Sequence, residues 1–313
     1  MNLDACLPAV LRGPATTITK IAAGLSGAGV YRVEAAGQIF VLKISGHDQP
    51  LAGWRRTLEI QQLAANAGLA PPVIHVDEDL RAVVSAFVAD RSFPAFYRDP
   101  RSHEAALALL GKTVHRVHEL PLPIGPDWKD PREFLAATWS GPVSGFALPA
   151  FVGDAVQRVL IEEAPPRERP LVLSHNDVNP SNLAYDGEHL LLLDWQTAGP
   201  NDPFYDLAAI SVFLRMDEAT CRRLLASYDD EPVTELPVRF VYSRRLVAVL
   251  CGTVILDVAR QSGHGGAGGA ETLGSTPSLG DCYQRMREGS LDLGTVAGQW
   301  LFGLALIKES FSL

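Results

Sequence analysis

Short apolar runs broken by turns fill the first part of the chain, and helical periodicity fills most of the rest. Thr16 to Ala22 and Val30 to Ala35 are rich in β-branched or aromatic residues and flank Gly24-Leu25-Ser26-Gly27-Ala28-Gly29. A second turn at Ala36-Gly37 leads into the apolar run Gln38 to Ile44. Strand, glycine loop, strand, tight turn and strand predict an antiparallel meander. Leu51 to Asn66 predicts a helix, polar on one side with Leu58 and Leu63 on the other. Gly68 can supply its left-handed stop, and Pro71-Pro72 prevents continuation. Two more extended runs, Val73 to Val76 and Ala82 to Phe87, end the strand-rich part.

Beyond Ser102, Leu107, Leu110, Val114 and Val117 recur at three- and four-residue spacing, as one buried helix face requires. Pro121 to Pro131 predicts irregular chain. Further helices are predicted over Ala209 to Ser227, Arg239 to Arg260 and Leu291 to Lys308, and the glycine- and serine-rich Gly263 to Gly280 predicts a mobile loop. One strand-like island interrupts the helices: Leu171 to Leu173, a polar stretch from Ser174 to Asn182, then Leu190 to Leu193 ending at Asp194. The plan is therefore α+β, with a small sheet lobe over residues 1–88 and a larger helical lobe over residues 89–313.

Composition narrows the function. The 313 residues are 47% hydrophobic and 20% charged, too apolar for a disordered chain. The formal net charge of −9 disfavours a nucleic-acid partner. Cys6, Cys221, Cys251 and Cys282 form no Cys-x-x-Cys pair, which argues against a zinc cage or redox motif. The N-terminus shows no basic stretch followed by an apolar core, and the apolar run Leu246 to Leu256 falls short of the ~18–20 residues a bilayer span needs. These features predict a cytoplasmic protein without a membrane partner, and Leu246 to Leu256 as a buried helix.

The chemistry concentrates in the island, LVLSHNDVNPSNLAYDGEHLLLLDW. Two apolar strands flank a loop holding His175, Asp177 and Asn182, and the second strand ends at Asp194. Such a hairpin would bring two carboxylates and one amide oxygen together. Hard oxygen ligands of this kind suit Mg²⁺, with one carboxylate left to receive a proton from an attacking hydroxyl.

This pattern resembles the catalytic loop of the protein-kinase-like superfamily, within it the aminoglycoside phosphotransferases and the choline, ethanolamine and thiamine kinases. The motif His-x-Asp-x-x-x-x-Asn stands here as His175, Asp177 and Asn182. Asp194-Trp195-Gln196 replaces the Asp-Phe-Gly of protein kinases, and Gly199-Pro200-Asn201-Asp202-Pro203-Phe204-Tyr205-Asp206 looks like the choline-kinase branch. The resemblance implies a two-lobed kinase fold, ATP and Mg²⁺ as cofactors, Asp177 as catalytic base, and Asn182 and Asp194 as metal ligands. It makes His175 and Asp206 structural, the latter bracing the catalytic loop, and His115 and His118 structural as well.

The same resemblance assigns the nucleotide contacts. Gly24, Ser26, Gly27 and Gly29 would cover the phosphates, and Lys43 would bind them while pairing with Glu59 on the following helix. Ser85 and Phe87 belong to the hinge expected over Val83 to Val88. Asn176 follows His175 where regulated protein kinases carry arginine, and the run from Asp194 to Asp206 is too short for a peptide-binding activation segment. The implied acceptor is a small, amine-bearing alcohol, with Trp195, Asp202 and Tyr205 as candidate walls. Gln196 stands where the choline-kinase branch often has Glu, which weakens choline itself. The rival from another class is a non-catalytic nucleotide-binding scaffold, which would need neither a base nor a complete metal site.

Overall fold

The computed structural model describes residues 2–21, 29–47, 49–122, 130–162 and 164–313. Most of the glycine loop, with Gly24, Ser26 and Gly27, lies outside them, as does most of the proline-rich segment after Pro121. In chain order the first elements are β1 (Thr17–Lys20), β2 (Gly29–Ala35), β3 (Gln38–Ile44), α1 (Leu51–Asn66), β4 (Val73–Asp77) and β5 (Ala82–Ala86). Then come α2 (Phe93–Arg98), α3 (His103–His118), α4 (Pro131–Ser140), α5 (Ala150–Ile161), β6 (Val172–Ser174), β7 (Leu183–Tyr185), β8 (Leu190–Leu192) and β9 (Gly199–Asn201). The chain ends in α6 (Pro203–Phe213), α7 (Glu218–Asp229), α8 (Val238–Gln261), α9 (Leu279–Arg287) and α10 (Val296–Glu309). Two compact units result: Met1–Pro123 with His175–Gly199, and Ile124–Ser174 with Pro200–Leu313.

The first unit is built on a five-stranded antiparallel sheet in the order β1-β2-β3-β5-β4. Ala36 and Gly37 close the β2–β3 hairpin with φ of 52° and 74°, the doubly positive pattern of a two-residue turn matched to strand twist. Alternation along β3 sorts its side chains. Phe40, Leu42 and Ile44 are buried on one face, where they pack with Val33, Val84, Leu7 and Leu11, so the N-terminal turns cover the sheet. Lys43 therefore points to the other face. α1 stops as its sequence predicts: Gly68 takes φ +70°, and the Gly68 and Leu69 amides return to Ala65 and Ala64 carbonyls. The same unit carries the short hairpin β7–β8, registered with Leu183 opposite Leu192.

The second unit is helical. Val212, Ala248, Leu279, Cys282, Phe302 and Leu306, from α6, α8, α9 and α10, share one core cluster. Gly252 interrupts the apolar run in α8 because α10 lies against it: a Cβ there would meet Ile307 Cγ1 at 2.5 Å and the Gly303 carbonyl oxygen at 2.9 Å. The helix expected over residues 209–227 is two helices. Arg215 turns left-handed at φ 54°, and the Asp217 carboxylate accepts the Thr220 amide to start α7. α2, α4, α5 and α9 were not expected. The segment Gly263 to Gly280 is largely irregular but tethered: Ala267 donates to the Ala147 carbonyl, and His264 stacks on Trp300 at 4.1 Å between ring centroids. No helix among the described residues is long and apolar enough to cross a membrane.

Candidate active site

The loop from His175 to Asn182 and the β7–β8 hairpin interlock through one residue. Because Leu183 pairs with Leu192, Asn182 stands opposite Leu193, and the Leu193 amide donates to the Asn182 carbonyl at 2.8 Å. The Leu193 carbonyl lies 2.9 Å from His175 Nε2. Leu193 thus holds both ends of the polar loop beside Asp194. His175 is fully buried, edge-on to Trp195 at 4.7 Å, and its carbonyl accepts the Thr197 hydroxyl. That is the structural hydrogen-bonding role the sequence suggests.

Asp177 is held by two side-chain amides. Asn179 Nδ2 donates to Oδ1 at 2.9 Å and Asn182 Nδ2 donates to Oδ2 at 2.7 Å. Burial pushes its carboxyl above the ordinary range, opposed by His175 and the two amides. A carboxylate so placed is oriented and a better proton acceptor than a solvated one. Sequence reasoning missed Asn179, whose Oδ1 also accepts the Ser181 amide at 2.9 Å. An Asn at that point of a tight turn reads as a cap, and only the folded loop shows its amide turned onto Asp177.

Lys43 meets Asp194, not Glu59. Its Nζ donates to Asp194 Oδ1 at 2.8 Å. A small cavity of about 20 Å³ shows which face of α1 looks toward Lys43, since Trp54, Thr57, Leu58 and Gln61 line it with Lys43 and Trp195. Glu59 is exposed on another side, makes no ion pair with Lys43, and lends its charge to Arg55. The face of α1 toward Lys43 carries Trp54, Thr57, Leu58 and Gln61, and Glu59 lies off it.

The oxygen donors expected for Mg²⁺ fit a hard cation. Asn182 uses its amide nitrogen toward Asp177, which leaves its carbonyl-type Oδ1 for a metal, and Asp194 offers a carboxylate in the same unit. Of the nucleotide candidates, Gly29 opens β2 opposite Ile44. Ser85 lies on β5 opposite Val41, with Gln61 Nε2 at 3.4 Å from its hydroxyl. The Phe87 ring sits 5.2 Å from the Arg32 guanidinium.

Of the expected acceptor residues, Asp202 and Tyr205 line a common cavity, and Trp195 belongs to the other unit. Trp195 is 2% exposed, with its indole N–H on the Leu192 carbonyl, and serves as packing for His175. Asp202 caps α6 through the Phe204 amide at 2.9 Å, and its other oxygen receives Arg239 Nε at 2.8 Å. Its charge is taken within the chain. Tyr205 and Asp202 do line a cavity of about 560 Å³ inside the helical unit, with Asp130, Arg132, Arg239 and Tyr242.

With this geometry in place, comparison with known proteins decides the family: the model of the phosphotransferase enzyme family matches residues 17–236. The chain belongs to the phosphotransferase enzyme family. Structures similar to this family member share its protein-kinase-like fold. One is a choline/ethanolamine kinase family protein from Mesorhizobium loti, 20% identical, covering 96% of this chain and 94% of that one at a TM-score of 0.63. Choline kinase LicA from Streptococcus pneumoniae is 16% identical over 88% of this chain and 92% of its own, at a TM-score of 0.58. An aminoglycoside-3'-phosphotransferase of type VIII is 23% identical over 76% of this chain and 95% of its own, at a TM-score of 0.57. Sequence comparison with curated proteins finds no match.

Proposed function

We propose that this family member is an ATP-dependent kinase of a small molecule, moving the γ-phosphoryl group to a hydroxyl of the acceptor. One observation supports it above the others. A buried carboxylate, Asp177, is oriented by Asn182, and Asn182 is locked through Leu193 beside the Lys43–Asp194 pair. Base, oxygen ligands and cation therefore occur as one connected set. A nucleotide-binding scaffold would have no use for an oriented, desolvated base.

Asp177 takes the proton of the acceptor hydroxyl as the acceptor oxygen bonds to the γ-phosphorus. The bond from that phosphorus to the bridging oxygen of the β-phosphate breaks, and ADP leaves. Lys43 offsets phosphate charge from β3, and the backbone of Gly29 permits close approach at the start of β2. Asn182 and Asp194 would hold Mg²⁺, which when bound supplies neutralising charge to the phosphate oxygens. Ser85 and Phe87 lie on the strand end expected to edge the adenine. A kinase that consumes ATP belongs in the cytoplasm, where ATP is made.

The test is coupled ADP release with ATP and Mg²⁺ across amino alcohols, sugars, hydroxy acids and aminoglycosides. Acceptor-dependent ADP release that disappears in Asp177→Asn is expected. Tight nucleotide binding with no transfer to any acceptor would point to the scaffold instead.

A further inference from the structure

The loop that holds Asp177 runs straight into the β7–β8 hairpin, and both outer edges of that hairpin are attached. The Leu193 amide bonds to the Asn182 carbonyl and the Asp186 amide to the His189 carbonyl. Tyr185 and Leu192 each stand one step from such a pair, so the antiparallel ladder turns their main-chain groups away from the hairpin. Both find partners. The Leu192 amide donates to the Leu69 carbonyl at 2.8 Å, just past α1. At the other edge the Tyr185 carbonyl accepts the Arg91 amide at 2.7 Å, and the Tyr185 amide donates to Asp90 Oδ1 at 2.9 Å. Asp90 and Arg91 lie in the segment that leaves β5, and all these groups belong to the first unit.

Asp90 supplies the side-chain part of this attachment. The same Oδ1 accepts the Ser92 amide at 2.9 Å, where Ser92 holds a left-handed φ of 64° before its hydroxyl caps α2 through the Ala95 amide. A left-handed serine is strained, and such strain persists only where its surroundings over-determine it. They do so here. The Tyr185 ring stacks on Phe96 of α2 at 4.5 Å, and its hydroxyl donates to the Gly187 carbonyl at 2.8 Å. β7 is three residues long, so about 10 Å of strand joins this anchor to Asn182. On the linker side Phe87 still extends the sheet, its amide donating to the Ile39 carbonyl at 3.3 Å. One short bridge therefore joins the end of β5 to the expected metal ligands. A nucleotide with its base at that strand end and its phosphates at Asn182 and Asp194 would span the same two points.

We propose that Asp90 is a positioning residue for phosphotransfer: by holding Tyr185 it sets the hairpin, and with it Asn182 and Asp194, at the spacing from the end of β5 that a nucleotide needs. This rests on the phosphotransfer reading above. In that role Asp90 acts through Tyr185 and not on the nucleotide. Its charge is not required, since the two backbone amides need only an acceptor oxygen. Groups already held at the right spacing need no rearrangement when the substrate arrives, and a loosened hairpin would lose that advantage.

The experiment compares two probes by calorimetry: adenosine, which meets only the strand end, and ATP with Mg²⁺, which spans both points. Asp90→Ala should weaken ATP with Mg²⁺ by about 3- to 10-fold, the worth of a lost carboxylate cap, and leave adenosine unchanged. Hydrogen exchange should show the Tyr185 amide less protected in the same variant. Asp90→Asn keeps the accepting oxygen and should restore both readings. Asp77→Ala is the matched control, since the Asp77 carboxylate accepts the Leu80 amide at 2.9 Å in the β4–β5 turn. It should lower the melting temperature as Asp90→Ala does, with the ratio of the two affinities unmoved. Equal weakening of both probes, an unmoved ratio, unchanged Tyr185 protection or no rescue by Asp90→Asn would make Asp90 a turn residue only and overturn the proposal. A parent protein that binds neither probe overturns it together with the kinase reading. A shifted ratio in a protein that transfers phosphate to no acceptor upholds the positioning role and counts against the kinase reading alone.

Discussion

Lys43 and Asp194, 151 residues apart, are joined by a 2.8 Å ion pair between a sheet strand and the residue that ends the β7–β8 hairpin region. The pair fixes where the lysine points and which carboxylate shares its charge. Glu59 stands outside it.

Lys43→Met should lower turnover by about 10²-fold by removing a preorganised cation at the phosphates. Glu59→Gln should leave turnover within about twofold, since an exposed helix glutamate contributes little. In chemical denaturation, Lys43→Met and Asp194→Ala should be non-additive by about 0.5–1 kcal/mol. Lys43→Met and Glu59→Gln should add. Coupling of Lys43 to Glu59 instead would mean the face of α1 is misread.

Asp177→Asn should cost at least about 10²-fold in kcat through loss of the base. Two amide donors already face this carboxylate, so whichever of Asn179 and Asn182 meets the new NH₂ group loses its acceptor. ATP affinity, measured by calorimetry, should change little. Turnover near that of the parent would remove Asp177 from the role.

Asn179→Asp separates two functions of one side chain. The substitution keeps the oxygen that caps the short turn through the Ser181 amide but loses the donor to Asp177 and sets a like charge beside it. The melting temperature should hold while kcat falls by about 10- to 100-fold, the effect of a misplaced base. Loss of stability with kcat intact would reduce Asn179 to a cap.

Arg239→Ala leaves the Asp202 carboxylate buried without its partner, since their side chains are 11% and 7% exposed. Unfolding free energy should drop by about 3–5 kcal/mol. Arg239→Ala combined with Asp202→Asn should recover much of that, because the amide still accepts the Phe204 amide and carries no charge. An unchanged denaturation midpoint in the single variant would show the pair to be dispensable.

Gly252→Ala should destabilise by about 1–3 kcal/mol, the usual cost of overpacking. Its Cβ would fall 2.9 Å from the backbone oxygen of Gly303 on α10, which cannot swing away. Equilibrium denaturation checks this, and a neutral or stabilising result would show that α8 and α10 can separate at no cost.

Local pattern determined a good deal on its own. β3 and α1 run over Gln38–Ile44 and Leu51–Asn66, as periodicity and the Gly68 stop require, because strand and helix repeats and turn glycines act within a few residues. The spacing of His175, Asp177 and Asn182 was likewise visible, but the hairpin read over Leu171–Leu173 and Leu190–Leu193 does not form, since β8 pairs with β7 and β6 with β9. Some local signals were present and outvoted: Asp130-Pro131 and Ser278 with Asp281 start α4 and α9, but they sit beside proline- and glycine-rich stretches that read as irregular chain. Only tertiary structure decided the pairings. Whether Lys43 met Glu59 or Asp194, whether Asp202 was free or held by Arg239, and whether Trp195 lined a site or packed under His175 depend on contacts between residues far apart in sequence. No spacing rule encodes those contacts, and a charge is available to a ligand only when the fold has left it without a partner of its own.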